Sequence, residues 1–252
     1  MKRGMLCFVF VAFFTLPTLA AAEVHGVYFA PRFLLGIQNS GPLSQGNDMK
    51  QTGTEEALYS QHSQAVVGGA LALGFNFGPK FGIPIRTEVE FALRSNSESN
   101  KDGTWDQRPN PNPAQQDYGT WSTKMTHNLS TLFLNAYFDI PTGTSFTPYI
   151  GGGLGMAFNY TSFKFSNPHT VAPQNTDDIS LSKHATTFAW NVGAGLSYAF
   201  TENVAADLGY RFIATGYNEV KESLNNPPYN ATFKIGSPPY IHEFYLGARF
   251  TF

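Results

Sequence analysis

The sequence of 252 residues contains a single cysteine, Cys7, and few charged residues, which make up 13% of the chain. Cys7 lies near the start, so the rest of the chain has no thiol for a disulfide or a cysteine metal site. After position 20 no run approaches the roughly eighteen consecutive apolar residues of a membrane-spanning helix, which is therefore excluded. Acidic residues slightly outnumber basic ones, 18 to 16, and this balance excludes nucleic acid as an expected partner.

The first 22 residues have the pattern of a secretory signal. Two basic residues precede the apolar run Met5–Leu16, and small residues follow up to Ala22. The apolar run is too short to span a membrane as an uncleaved anchor. We therefore predict that residues 1–22 form a signal peptide, cleaved after Ala22, and that residues 23–252 form one folded domain.

What the remaining sequence has in abundance is alternation with a period of two, which predicts β-strands. The clearest stretch is Pro84–Ser95, where large apolar residues alternate with Arg86, Glu88, Glu90 and Arg94. The other stretches pair a face of large apolar residues with a face rich in Gly, Ala, Asn and Ser. Eight strands are predicted: Gly26–Gln38, Gln64–Phe77, Pro84–Ser95, Thr123–Ile140, Thr147–Tyr160, Thr186–Phe200, Val204–Tyr217 and Pro239–Phe252.

The connections between these strands alternate strictly between long and short. The long, polar connections are Asn39–Ser63, Asn96–Ser122, Thr161–Ala185 and Asn218–Pro238, and the short turns are Gly78–Ile83, Pro141–Phe146 and Thr201–Asn203. Long connections at one end only are typical of barrels in the outer membrane of Gram-negative bacteria.

The two strand faces predict which side of such a barrel is apolar. The crowded Phe and Leu face could not fit into a narrow interior, so it must face lipid, whereas a soluble lipocalin-like barrel has the opposite polarity. We therefore predict an all-β fold, an eight-stranded antiparallel up-and-down transmembrane β-barrel. Four long extracellular loops and three short periplasmic turns would connect the strands, with both termini in the periplasm.

Four strand sequences resemble a known family. They are FLNAYFDI (Phe133–Ile140), TPYIGGGLGMAF (Thr147–Phe158), AADLGYRF (Ala205–Phe212) and EFYLGARFTF (Glu243–Phe252). They are similar to the membrane domain of OmpA-like proteins and, more closely, to the opacity-type surface proteins of Gram-negative bacteria. The resemblance covers the strands and none of the long loops, so it implies the location and scaffold and leaves the ligand open.

Opacity-type proteins bind host receptors through their loops. The resemblance therefore implies a structural or adhesin-like surface protein whose loops engage a host or environmental partner. The last strand also resembles the closing strand that such barrels present to the barrel-assembly machinery. Tyr245, Gly247, Phe250 and Phe252 fit its polar-x-Gly-x-x-aromatic-x-aromatic signature.

The inward faces of the predicted strands collect equal numbers of basic and acidic residues. Because unpaired charges inside a narrow barrel are costly, we predict that these residues form an ion-pair network that plugs the lumen. A gated or leaky pore for ions or small solutes is the alternative. The ten residues are Arg32, Arg86, Glu88, Glu90, Arg94, Asp139, Asp207, Arg211, Glu243 and Arg249.

Gly151, Gly153 and Gly155 lie on the inward face of one predicted strand. No helix pattern follows them, so they do not indicate a phosphate-binding loop. We expect them to leave lumen space for Arg and Tyr side chains from neighbouring strands.

Some eight-stranded outer-membrane barrels are enzymes that modify lipid A, which makes catalysis the third alternative. His127 and Ser130 face opposite sides of a strand, Ser182 and His184 share a face without a nearby acid, and His242 faces lipid. No acid, base and nucleophile converge. We therefore predict no enzymatic activity, no cofactor and no metal site.

The outward aromatic residues fit contact with outer-membrane lipid, whereas the specific partner would be bound by the long loops. The charges of the loops nearly cancel, so no basic patch for a polyanionic receptor is visible. Candidate contact points for a partner are the loop aromatics, with ordinary packing within the loops as the alternative: Trp105, Tyr118, Trp121, Tyr229 and Phe233.

Overall fold

The computed structural model describes residues 26–40, 43–47, 56–59, 62–106, 118–166, 179–216, 218–226, 229–237 and 240–252. The predicted signal peptide lies outside these residues, and so do the side chains of the five loop aromatics named above. The strands are β1 (Val27–Ser40), β2 (Leu43–Asn47), β3 (Glu56–Tyr59), β4 (His62–Asn76), β5 (Ile85–Arg94), β6 (Ser97–Asp106), β7 (Tyr118–Asp139), β8 (Phe146–Ser166), β9 (Ile179–Ala199), β10 (Val204–Thr215), β11 (Asn218–Asn226), β12 (Tyr229–Ser237) and β13 (Tyr240–Thr251). A single helical turn, α1 (Gly78–Phe81), lies between β4 and β5. Within the described ranges no helix has the length and apolar character needed to cross a membrane.

Eight of the strands form a closed ring in which every neighbour is antiparallel. The order around the ring is β1, β4, β5, β7, β8, β9, β10 and β13, and the pairing of β13 with β1 closes it. Closure satisfies the backbone hydrogen bonds of every wall strand, which a membrane requires. The predicted eight-stranded antiparallel up-and-down barrel is confirmed.

Parts of the long connections, predicted to be loops, are β-structured instead. β7, β8 and β9 have 22, 21 and 21 residues, so they extend beyond their predicted ends into Asn96–Ser122 and Thr161–Ala185. β6 pairs with the first half of β7. β6 is polar at nearly every position, so pairing with β7, rather than amphipathic alternation, makes it a strand. On β8 the alternation of Phe163 and Phe165 with Ser162 and Lys164 was an available signal that the prediction missed.

A second sheet is formed by segments of the first and last long connections. Its order is β11, β12, β2 and β3. The predicted loops Asn39–Ser63 and Asn218–Pro238 therefore contribute to one four-stranded sheet. Sequence patterns within either loop could not reveal a pairing between segments so far apart in the chain.

Side-chain burial along β5 shows which face of the wall is enclosed. Arg86 and Glu90 are 1% and 0% exposed, whereas Phe91 and Leu93 are 44% and 55% exposed. The same arrangement, with large apolar side chains outside and polar or small ones inside, holds around the ring. The predicted polarity is therefore confirmed, and the exposed apolar surface is suited to hydrocarbon.

Candidate functional site

The enclosed interior of the barrel holds the charged side chains that the sequence singles out. Eight of the ten are buried, and Asp139 and Arg249 are partly buried near the end of the barrel with the short turns. They come from five different wall strands, which place them on inward positions of the β-pleat. The structure separates them into two connected groups.

The larger group is a chain of alternating charges across the middle of the lumen, which we call the central chain. Arg32 pairs with Glu88 at 2.7 Å and also with Glu90. Arg211 then joins Glu90 at 2.6 Å to Glu243 at 2.8 Å, and Glu243 accepts a further bond at 2.6 Å from Arg94 Nε. The members of the central chain, in order, are Glu88, Arg32, Glu90, Arg211, Glu243 and Arg94.

The smaller group, the lower cluster, lies nearer the short turns. Arg86 donates two bonds to Asp139, from Nε at 2.8 Å and from Nη2 at 2.8 Å. Asp207 lies 3.8 Å from Arg86 and 3.6 Å from Arg249, and Arg249 also donates to Ser197 Oγ at 2.8 Å. A buried charge is tolerated only when it is paired and hydrogen-bonded, and the lower cluster meets this condition for the Arg86 guanidinium.

Tyrosines join the two groups and complete the coordination of Glu88. The hydroxyls of Tyr28 and Tyr137 donate to Glu88 at 3.0 Å and 2.9 Å. The Arg86 guanidinium lies over the rings of Tyr137 and Tyr149, 5.2 Å and 4.9 Å from their centroids. Tyr137 therefore contacts both the central chain and the lower cluster, and the cation–π contacts further stabilise the buried Arg86.

Each of four lumen tyrosines lies against a glycine directly opposite it on the neighbouring strand. The register pairs are Tyr28 with Gly74, Tyr137 with Gly151, Tyr149 with Gly195, and Tyr245 with Gly209. A Cβ atom at any of these glycines would come within 2.3 Å of its tyrosine. The rings can therefore lie flat across the wall only because the facing position has no side chain.

The expectation that the glycine-rich strand leaves space for Arg and Tyr side chains is met at one of three positions, and a second position leaves space for asparagines. Gly151 makes room for Tyr137, and Gly153 makes room for the amides of Asn135 and Asn191. At Gly155 a Cβ would instead meet the backbone oxygen of Leu132 at 2.0 Å. That glycine allows a close approach of two backbones, which side-chain patterns do not indicate.

A buried apolar layer lies between the central chain and the long connections, and sequence reasoning missed it. Its members are 1% exposed or less and form one cluster: Leu129, Phe133, Ala157, Ala189, Ile213 and Ile241. Ile213 and Ile241 each lie two residues from a member of the central chain, on the side of the long connections. Their positions on the inward faces of the strands were the available signal, but small or charged side chains were expected in the interior.

The histidines are scattered over the structure. His127 is inside the barrel, 2.9 Å from Thr161 Oγ1. His184 is exposed and its ring is tilted against that of Tyr160, with the centroids 4.7 Å apart, and His242 faces outward and forms a hydrogen bond of 2.7 Å with the Tyr210 hydroxyl. Among the residues described, no cluster of three or more His, Cys, Asp or Glu side chains could hold a metal ion.

The four residues of the predicted assembly signal lie on both faces of β13. Tyr245 is buried in the lumen, and Gly247 lies on the inward face beside Arg32, whose Cγ would be 2.8 Å from an added Cβ. Phe250 and Phe252 are 39% and 62% exposed on the outside. The outward aromatic residues of the motif therefore face lipid at the end with the short turns.

A closed eight-stranded barrel that is apolar outside and charged inside defines a β-barrel protein of the bacterial outer membrane. Comparison with known proteins agrees. Residues 6–252 match the family model described as the outer membrane protein beta-barrel domain, and the chain belongs to this family.

Relatives and solved structures are similar over different lengths. The outer membrane protein PagN of Salmonella typhimurium is 25% identical over 232 residues, with 92% of each chain covered. A putative adhesin of Rickettsia bellii is 28% identical over 89 residues, covering 35% of this chain and 38% of the adhesin. The crystal structure of OprG from Pseudomonas aeruginosa has a TM-score of 0.47 and 14% identity, covering 90% of this chain and 96% of OprG.

Proposed function

We propose that this outer-membrane barrel is a non-enzymatic surface protein with an adhesin-like role, whose long connections engage a host or environmental partner. The observation that carries the proposal is the extension of β7, β8 and β9 beyond the apolar belt at the end with the long connections. That end would be extracellular and the short turns periplasmic, as in barrels of this type.

The extended strands support the proposal because a paired sheet holds its connecting segments in place better than an unstructured loop does. The pairing of β6 with β7 extends as far as Asp106 and Tyr118, which face each other. The pairing of β8 with β9 extends as far as Phe165 and Ile179. Two paired hairpins therefore flank residues 107–117 and 166–178. Binding residues on loops positioned by a rigid scaffold are a common arrangement.

The interior supports a structural role for the barrel itself. We propose that the central chain, the lower cluster and the apolar layer plug the lumen. The similarity to a putative adhesin and the scattered histidines favour surface binding over catalysis. We further propose that residues 1–22 direct export and that Tyr245, Gly247, Phe250 and Phe252 are read by the assembly machinery.

Loop replacement tests the proposal directly. In one variant residues 107–117 are replaced by Asn-Gly, and in a second residues 166–178 are replaced by the same turn. Each pair of strand ends is in register, so a two-residue turn can close the hairpin. Bacteria that produce the full chain are expected to bind cultured host cells or extracellular matrix, and at least one replacement should abolish this binding.

Two controls make the comparison interpretable. Heat-modifiable migration on gels shows whether each variant forms the barrel, and the Glu202→Gln change in an exposed short turn provides a variant at the opposite end. If bacteria that produce the full chain bind no better than bacteria that lack it, the adhesin-like role is wrong, and if both loop replacements fold and bind as the full chain does, the binding does not depend on these two hairpin tips. A lipid A modification assay on purified protein, in which turnover would contradict the non-enzymatic proposal, completes the test.

A further inference from the structure

A polar patch lies on the outer face of β7, β8 and β9, directly above the point where their apolar residues end. Moving toward the long connections, Phe158 is followed on β8 by Tyr160, Ser162 and Lys164. The residues facing these positions on β7 and β9 are also polar. We call this surface the outer patch: Lys124, Asn128, Tyr160, Ser162, Lys164 and His184.

The outer patch concentrates positive charge at its upper edge. Lys124 and Lys164 are direct cross-strand partners on β7 and β8, and like charges in this position repel. Glu98 on β6 pairs with Lys124 at 2.8 Å, and both side chains remain nearly half exposed. Within the part of the chain that the structure describes, no carboxylate pairs with Lys164, so the patch retains an uncompensated cation beside the Lys124–Glu98 pair.

No other outward face of the described wall presents such cations. The outer faces of β1, β4, β5, β10 and β13 carry neither lysine nor arginine among the described residues. The remaining acidic side chain near the patch is Asp102, which is exposed on β6. It lies on the far side of β7 from Lys164. The positive charge is therefore confined to one sector of the barrel circumference.

Below the lysines the patch is concave and has groups suited to a sugar. A shallow pocket is lined by Asn128, Ser130, Phe158, Tyr160, His184 and Thr186. The rings of Tyr160 and His184, tilted at 39° with their centroids 4.7 Å apart, offer an aromatic surface, and the amide and hydroxyls offer hydrogen bonds. The pocket lies at the level where the outward side chains change from apolar to polar, and lipid headgroups are expected at such a level.

We infer that the outer patch binds the phosphorylated sugar headgroup of a glycolipid in the outer leaflet. Lys164 and Lys124 contact the phosphate, and the pocket beside Tyr160 and His184 holds the sugar. Long lysine side chains bend toward an interface while their stems cover apolar surface, so both ammonium groups can reach a phosphate at this depth. The inference goes beyond the adhesin-like role, since it concerns the lipid-facing wall and not the loop tips.

The test uses the full folded chain in detergent micelles, titrated with bis-phosphorylated lipid A and observed by native mass spectrometry. The double change Lys124→Gln and Lys164→Gln is expected to weaken lipid A binding about thirtyfold, because each of the two lysines near an anionic membrane surface contributes about 1 kcal/mol and about 1.4 kcal/mol corresponds to a factor of ten in affinity. Lys80→Gln, at the opposite end of the barrel and also exposed, should leave binding unchanged. Lys164→Arg should retain most of it.

Three results would overturn the inference. One is that the double variant, shown to be folded by its gel mobility, binds lipid A as tightly as the parent. Another is that dephosphorylated lipid A binds the parent as tightly as the bis-phosphorylated form. The third is that the lysine changes reduce binding of a soluble sulfated glycan without affecting lipid A, which would assign the patch to a polyanion outside the membrane.

Discussion

Arg211 and Glu243 face each other directly on β10 and β13 and are joined by a hydrogen bond of 2.8 Å from Nε to Oε1. Glu243 also accepts from Arg94, which lies on β5 on another side of the ring. One carboxylate therefore ties the closing strand to its neighbour and to a strand that is not adjacent. Glu243 therefore links three wall strands, β5, β10 and β13.

Replacing Glu243 should consequently destabilise the barrel strongly. Glu243→Gln leaves Arg94 and Arg211 buried with only a neutral amide between them, and breaking a buried pair in this way costs about 3–5 kcal/mol. Urea unfolding in lipid vesicles, followed by the shift in gel mobility, measures the change. The exposed Glu202→Gln serves as the matched control and should unfold like the parent, whereas equal stability of both variants would show that the central chain does not stabilise the fold.

The tyrosine–glycine pairs predict a sharp contrast between two Gly→Ala changes. At Gly151 the new Cβ would lie 2.3 Å from Tyr137 Cδ1 and 2.6 Å from the Ala136 oxygen, whereas at Gly69 its nearest neighbour is 3.7 Å away. We expect Gly151→Ala to lower the free energy of unfolding by about 1–3 kcal/mol, as overpacking typically does. Gly69→Ala should change it little.

The same unfolding experiment reports on the glycine variants. Folding yield into vesicles provides a second readout, because displacing Tyr137 also disturbs its bond to Glu88 and its contact with Arg86. Equal stability and yield for the two variants would mean that the tyrosine rings adjust without cost and that the facing glycines have no packing role.

The lipid-facing belt predicts that an outward charge is costly only at membrane depth. Leu134 is 64% exposed among apolar neighbours, so Leu134→Arg should cost about 2–4 kcal/mol in a bilayer, against about 0–1 kcal/mol near the interface. Ser162→Arg, on the outer patch, is the matched change at the interface. Similar costs at the two positions would place the hydrocarbon boundary elsewhere on the barrel.

The filled interior predicts that the barrel does not conduct. The central chain and the apolar layer formed around Leu129, Phe133, Ile213 and Ile241 occupy successive levels of the lumen. We therefore expect no stable open state of porin-like size in planar lipid bilayers, recorded beside a known porin as the positive control. A reproducible open state would favour the alternative of a small pore for ions or solutes over the plug.

Alternation within strands made much of the architecture predictable. Arg86, Glu90, Phe91 and Leu93 have the faces that their spacing indicates, because the β-pleat sends successive side chains to opposite sides whatever the rest of the chain does. The partners within the lumen were not predictable in this way. That Arg94 reaches Glu243, and not a closer carboxylate in sequence, depends on the barrel curvature and on the stagger of its strands.

The sequence by itself determined the number of strands in the barrel wall, the polarity of their faces and the membrane that suits them, since each follows from local periodicity and composition. Only the tertiary structure decided that the polar connections continue as paired strands, that Leu129, Phe133, Ile213 and Ile241 meet as one layer, and that Lys124 and Lys164 stand side by side. These features arise from register and ring closure. They depend on hydrogen bonds between distant segments, and such bonds leave no periodic trace in any single strand.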